Sequence, residues 1–137
     1  MEYKKIPERL YEAATAVIGS VMLDPSVSGD VFARVQPQDF LVPEYRTLFE
    51  AERQLFLSGK AIDPVAVAAI VGNEYRPLIM QVMDVTPTAA NCMAYVAILR
   101  QETRLHRLRT LGEQLTAAAT LAEARAVLEK AGQLTAN

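Results

Sequence analysis

His106 and Cys92 are the single histidine and the single cysteine of this 137-residue chain. Any nucleophile–base pair or metal site would have to be built around one of them. A nucleophile needs its base within hydrogen-bond reach. Both residues fall in one stretch that reads as helix, roughly 21 Å apart along its axis, so they cannot meet within one chain. One cysteine excludes an internal disulfide and a cysteine-cluster metal site. Asp24, Asp39, Asp63 and Asp84 fall at turns or helix ends, where capping accounts for them. Leu57-Ser58-Gly59-Lys60-Ala61 holds a Gly-Lys pair. A phosphate-binding loop would also need a glycine where Gln54 stands and a hydroxyl where Ala61 stands, and it would follow a strand. This segment follows a helix pattern and reads as a C-cap. No catalytic residue, metal ligand or cofactor is expected in this segment.

The one dense positive stretch is Arg100, Arg104, His106, Arg107 and Arg109. The i, i+4, i+7 spacing of Arg100, Arg104 and Arg107 predicts one helix face. That face is either solvated or set against an acidic partner surface. DNA is the weaker reading, since no aromatic residues interleave. Residues 43–71 read as helix, glycine-containing turn, helix, but VAVAAIV in the second helix offers no side chain to read a base edge.

These residues must be positioned by helices. The stretch Thr86–Ala119 has no proline after Pro87 and is rich in good helix formers. Its apolar residues Tyr95, Ile98, Leu99, Leu105, Leu108, Leu111 and Leu115 recur at three and four. Thr88 is the expected N-cap. A helix of about 30 residues would be about 45 Å long, against about 30 Å for the diameter of a domain this size. Thr120-Leu121-Ala122-Glu123 has the form of a capping box. It opens a second helix with Leu121, Ala124, Val127, Leu128, Ala131 and Leu134 on one face. The two read as an antiparallel hairpin whose leucines need cover, most simply from a second copy. The alternative is a hairpin packed entirely on its own chain.

Ahead of the hairpin, residues 1–5 read as a loose polar lead-in. A first helix at 7–23 carries Leu10, Ala13, Ala14, Val17, Ile18, Val21 and Met22 on one face. Its Gly19 marks either a close approach of a neighbour or a tolerated glycine. A short helix follows at about 26–35, then a turn that throws Phe40 into the core. A third helix opens at Pro43, carries Tyr45, Leu48, Phe49, Glu52, Leu55 and Phe56, and stops at Ser58-Gly59-Lys60. Asp63-Pro64 starts a fourth helix. It is apolar nearly all round and so is expected to be central. A fifth begins near Glu74 with Pro77 in its first turn. Strand signals are nearly absent. The fold class is all-α: a compact bundle of short helices followed by a C-terminal antiparallel helical hairpin. The expected division is a head over 1–97 and a hairpin over 98–137 within one structural domain. The expected head core includes Val17, Ile18, Phe40, Phe49 and Ile70. The expected pairing face is Leu105, Leu108, Leu111, Leu115, Leu121, Val127 and Leu128.

Composition agrees with a folded chain: 51% of residues are hydrophobic and 22% charged, with a formal net charge of −2. That balance argues against general nucleic-acid binding. There is no apolar run long enough to span a bilayer and no signal-peptide core. A cytoplasmic, membrane-free protein is the expectation.

The order of segments then resembles a known family, the N-terminal domain of bacterial and phage replicative DNA helicases of the DnaB type. Residues 12–25, EAATAVIGSVMLDP, are similar to the family's opening EAEQAVLGSLLLDP. Residues 35–40, VQPQDF, resemble L-x-P-x-DF. Residues 43–51, PEYRTLFEA, resemble xxHRxIFEAI, and 59–63, GKAID, resemble G-x-PID. Residues 86–91, TPTAAN, resemble TPSAAN, and Tyr95–Glu102 echo YAxIVRE. No single motif is specific, but six in the right order are. Two departures point to a divergent member: the segment between the fourth and fifth helices is short, and Tyr45 replaces the family's histidine.

The resemblance implies a non-catalytic collar. It would pair through the hairpin as a homodimer, join a ring of six, dock the C-terminal domain of primase and influence helicase loading. ATP, magnesium and DNA would belong to a motor domain beyond a linker, and a chain that stops at Asn137 suits a fragment cut there. The competing expectations are a stand-alone regulator of a host helicase or primase, and direct DNA binding through the arginine face.

Overall fold

The computed structural model describes residues 6–86 and 88–136. Residues 1–5, read above as a lead-in, and Pro87 lie outside that range. Among the described residues there are seven α-helices and no strand: α1 (Glu8–Leu23), α2 (Ser28–Arg34), α3 (Pro43–Leu57), α4 (Pro64–Val71), α5 (Arg76–Asp84), α6 (Cys92–Ala117) and α7 (Leu121–Thr135). Short 3-10 turns at Pro25–Val27, Pro37–Asp39 and Asn73–Tyr75 join them.

Local chemistry sets most boundaries. The Asp63 carboxylate accepts from Ala66 N at 2.8 Å and caps α4. After α3, Gly59 takes φ +70° and Lys60 N donates to Leu55 O at 2.9 Å, closing the helix with a left-handed residue. The Asp24 carboxylate accepts from Ser26 N at 3.1 Å where α1 ends. The start of α6 differs from expectation. The Thr88 hydroxyl accepts from Ala90 N at 3.1 Å and makes a local turn, and the helix begins only at Cys92. The long helix is therefore 26 residues, about 39 Å.

The central helix is α1. Leu10, Ala13, Ala14, Val17, Ile18 and Val21 are buried, and so are Thr15, Gly19 and Ser20 on its other sides, because α2, α3, α5 and α6 all pack around it. Gly19 is a close approach: a Cβ there would lie 2.7 Å from Thr86 Cβ. Phe40, Phe49, Phe32 and Phe56 form a run of ring contacts with centroids 4.7, 5.1 and 5.0 Å apart, leading from the core to the surface.

The expectation that α4 is central is corrected. The helix has two turns and lies on the edge, against α3 and α5, and only Val67 and Ala68 are buried. Ile70 is 40% exposed and is not a core residue. Uniform apolarity in so short a helix leaves its inner face to be set by its neighbours. Val17, Ile18, Phe40 and Phe49 are fully enclosed.

α6 crosses residue 98 without a break. Its first half packs along α1, burying Cys92, Val96 and Leu99, and its second half pairs with α7. No single helix among the described residues is long and apolar enough to cross a membrane.

Candidate interaction surface

The hairpin is held to the head at its root. Thr103 Oγ1 donates to Asp39 O at 2.7 Å from a buried position. One turn further on, Arg107 Nη2 donates to Gln38 O. Arg46, from α3, donates through Nε and Nη2 to Phe40 O at 3.2 and 2.9 Å. The turn at 37–40 is thus gripped from two helices. Burial lowers the Arg107 pKa; Asp39 opposes that shift and Arg46 adds to it.

At the far end the capping box forms as its residues dictate. Glu123 N donates to Thr120 Oγ1 at 3.1 Å, and the Glu123 carboxylate accepts from Ala119 N at 2.7 Å and Thr120 N at 3.3 Å. This fixes the reversal between α6 and α7.

The leucines of the expected pairing face do not share one environment. Leu111 is buried, and it lines a pocket at the head–hairpin junction with Leu41 and Leu134. Val127 is half-buried. Leu105, Leu115, Leu121 and Leu128 are 39%, 37%, 67% and 56% exposed, and α7 has no buried residue at all. Leu105 and Leu108 line an open groove of about 540 Å³ on the outer face of α6, together with Ala97, Arg100, Gln101 and Arg104. The hairpin therefore offers a leucine surface edged by two arginines. Arg100 and Arg104 belong to it. Arg107, expected on the same face, is turned back to the head and half-buried; its seven-residue offset from Arg100 does not outweigh the carbonyl at Gln38. His106 lines the junction pocket on the opposite side.

Among the described residues, two ionisable side chains, Cys92 and Glu52, are buried inside the head. Burial raises the Cys92 thiol; a hydrogen bond with Ser20 opposes this, and Glu52 and Asp24 add to it. Glu52 is fully enclosed, both carboxylate oxygens lack a hydrogen-bond partner, and desolvation raises its pKa well above the usual carboxylate value. Its signal was present in the sequence, since it stands on the apolar face of α3 between Phe49 and Leu55. Among the described residues no three His, Cys, Asp or Glu side chains come together as a metal site.

Comparison with known proteins adds identity to this geometry. The replicative DNA helicase DnaB of Geobacillus stearothermophilus is 30% identical over 115 residues, covering 77% of this chain and 25% of that protein. The replicative DNA helicase DnaB of Mycobacterium leprae is 26% identical over 121 residues, covering 83% of this chain and 20% of that protein. The chain therefore spans about a quarter or less of the length of these relatives. A crystal structure of the N-terminal domain of DnaB helicase from Mycobacterium tuberculosis superposes with a TM-score of 0.73 and 28% identity, over 90% of this chain and 94% of that one. A DnaB-like replicative helicase studied for its interactions with primase shares the fold, with a TM-score of 0.68 and 15% identity, over 88% of this chain and 31% of that one. The family model for the DnaB-like helicase N terminal domain matches residues 6–101, and the chain belongs to that family.

Proposed function

We propose that this chain is a non-catalytic collar of a replicative helicase, which self-associates through the α6–α7 hairpin and docks primase or a helicase loader. The observation that carries the reading is the exposed leucine surface of the hairpin on a chain of this family. At about 25 cal/mol per Å², covering such side chains favours association. The solved relative that interacts with primase supports the docking part. ATP, magnesium and DNA engagement would belong to the remainder of a longer protein, and a ring of six is the assembly that the family resemblance implies; it needs a second contact besides the hairpin pairing, because a two-fold pair closes on itself.

The test is sedimentation equilibrium or light scattering at high concentration. The parent chain should form dimers or larger species. Leu108→Asp should yield monomers with unchanged helical circular dichroism, because a charge on an apolar seam costs several kcal/mol while the head does not use that residue. Ile18→Asp should instead unfold the head, since Ile18 is fully enclosed. A parent chain that stays monomeric and binds no primase C-terminal domain would refute the reading.

A further inference from the structure

A cleft where α1, α3, α5 and α6 meet belongs to neither the hairpin surface nor the junction pocket. It encloses about 700 Å³, within the usual range of ligand-holding cavities. Tyrosines from three helices wall it: Tyr11 from α1, Tyr45 from α3 and Tyr95 from α6. Glu8 and Glu12 line it one helical turn apart, and among the described residues no lysine, arginine or histidine does.

The wall is pre-formed. The Tyr11 and Tyr45 rings meet edge to face, with centroids 6.1 Å apart and planes at 85°. The Tyr45 hydroxyl accepts from Thr15 Oγ1 at 3.1 Å, and Thr15 is itself buried. Tyr45 is thus held at its ring and at its tip, which lowers the ordering cost of anything that binds against it. Three tyrosine rings beside two carboxylates favour a cation over an anion or a neutral group. Tyr11, Tyr95 and Val85 are exposed at the rim. The cleft is therefore open along its length, unlike a small-molecule site that closes over most of its ligand.

We propose that this cleft receives an arginine or lysine side chain presented by an extended basic segment of a partner protein. The aliphatic stem lies along the tyrosine faces and the charged head reaches Glu8 and Glu12. Charge complementarity selects the occupant, and the open rim accommodates its flanking residues. The proposal is independent of the collar reading: a chain that never assembled into a ring would still bind such a segment.

The experiment is fluorescence anisotropy at low salt with a labelled peptide of three arginines spaced by glycine and serine. Its controls are the same peptide with glutamine for arginine, and free arginine and choline as competitors. The arginine peptide should bind the full chain, and the glutamine peptide should not. The double change Glu8→Gln with Glu12→Gln should weaken binding at least about tenfold, as should Tyr11→Ala, while Tyr11→Phe should retain it. All these positions are exposed, so circular dichroism should stay unchanged. A charge-matched double change, Glu50→Gln with Glu129→Gln, should have little effect.

Equal weakening by the two double changes would mean only a general attraction to an acidic protein and would overturn the proposal. So would peptide binding that ignores Tyr11→Ala, or competition by choline at the peptide's own affinity. A Glu8/Glu12 change that altered the self-association mass but not peptide affinity would assign the cleft to contact between copies, and would equally overturn it.

Discussion

Glu52 gives the sharpest test of the interior. Its side chain is completely enclosed and neither oxygen has a partner. Leaving a buried polar group unsatisfied costs about 1–3 kcal/mol, more if it is charged. Replacing it with methionine keeps the length of the chain and a similar helix propensity, and removes the polar atoms. The expected gain at pH 7.5 is about 2 kcal/mol. For a domain of this size, that is a rise in Tm of roughly 8 °C. The pH dependence has a definite sign. The folded pKa lies above the unfolded value of about 4.3, so between the two the folded state holds a proton that the unfolded state releases. The carboxyl is therefore tolerated best below that unfolded value. Stability falls as the pH climbs through the folded pKa, then levels off. The difference between Glu52→Met and the parent should accordingly be small at the acid end and grow with rising pH. Urea unfolding followed by circular dichroism across that range measures it. The comparison between the two proteins cancels the titration of the shared carboxylates. A methionine variant that is less stable at pH 7.5, or a difference independent of pH, would refute the reasoning.

Other outcomes follow from the packing. Gly19→Ala should destabilise by about 1–3 kcal/mol, because its methyl must displace Thr86 in a full core; Gly112→Ala meets nothing within 4 Å and should stabilise by about 0.5–1 kcal/mol, both read from thermal melts. Thr103→Val should cost about 1–3 kcal/mol, by leaving the Asp39 carbonyl without its donor, measurable by urea titration. Cys92 is buried with its thiol pKa raised, so a thiol reagent should leave it unmodified in the native chain and react at once after denaturation.

Features governed by a few neighbouring residues were legible in the sequence. The cap at Asp63, the left-handed Gly59 and the Thr120–Glu123 box are each decided within one turn of chain, and each is found as expected. The face of α1 and the burial of Phe49 followed from periodicity, and the burial of Phe40 from the tight turn before it. What escaped depends on which elements meet. The close approach at Gly19 was one of two readings, but its partner, Thr86, lies far along the chain and was not legible. Arg107 has the right spacing for the outer face, but a carbonyl on a distant turn claims it. α4 is uniformly apolar, so periodicity could not choose its inner side, and Ile70 was misplaced. The tyrosine cleft draws on four helices, and nothing local announces that Tyr11, Tyr45 and Tyr95 are neighbours.

α6 begins with its side chains in the core and ends in the hairpin, with no glycine or proline at the crossing. A push applied to the leucine end is therefore carried by a stiff lever to Val96 and Leu99. Whatever grips the tail also presses on the centre of the head. Cutting the chain near residue 97 would not free an intact globule: it would strip out Leu99 and Thr103 and leave α1 without one of its supports.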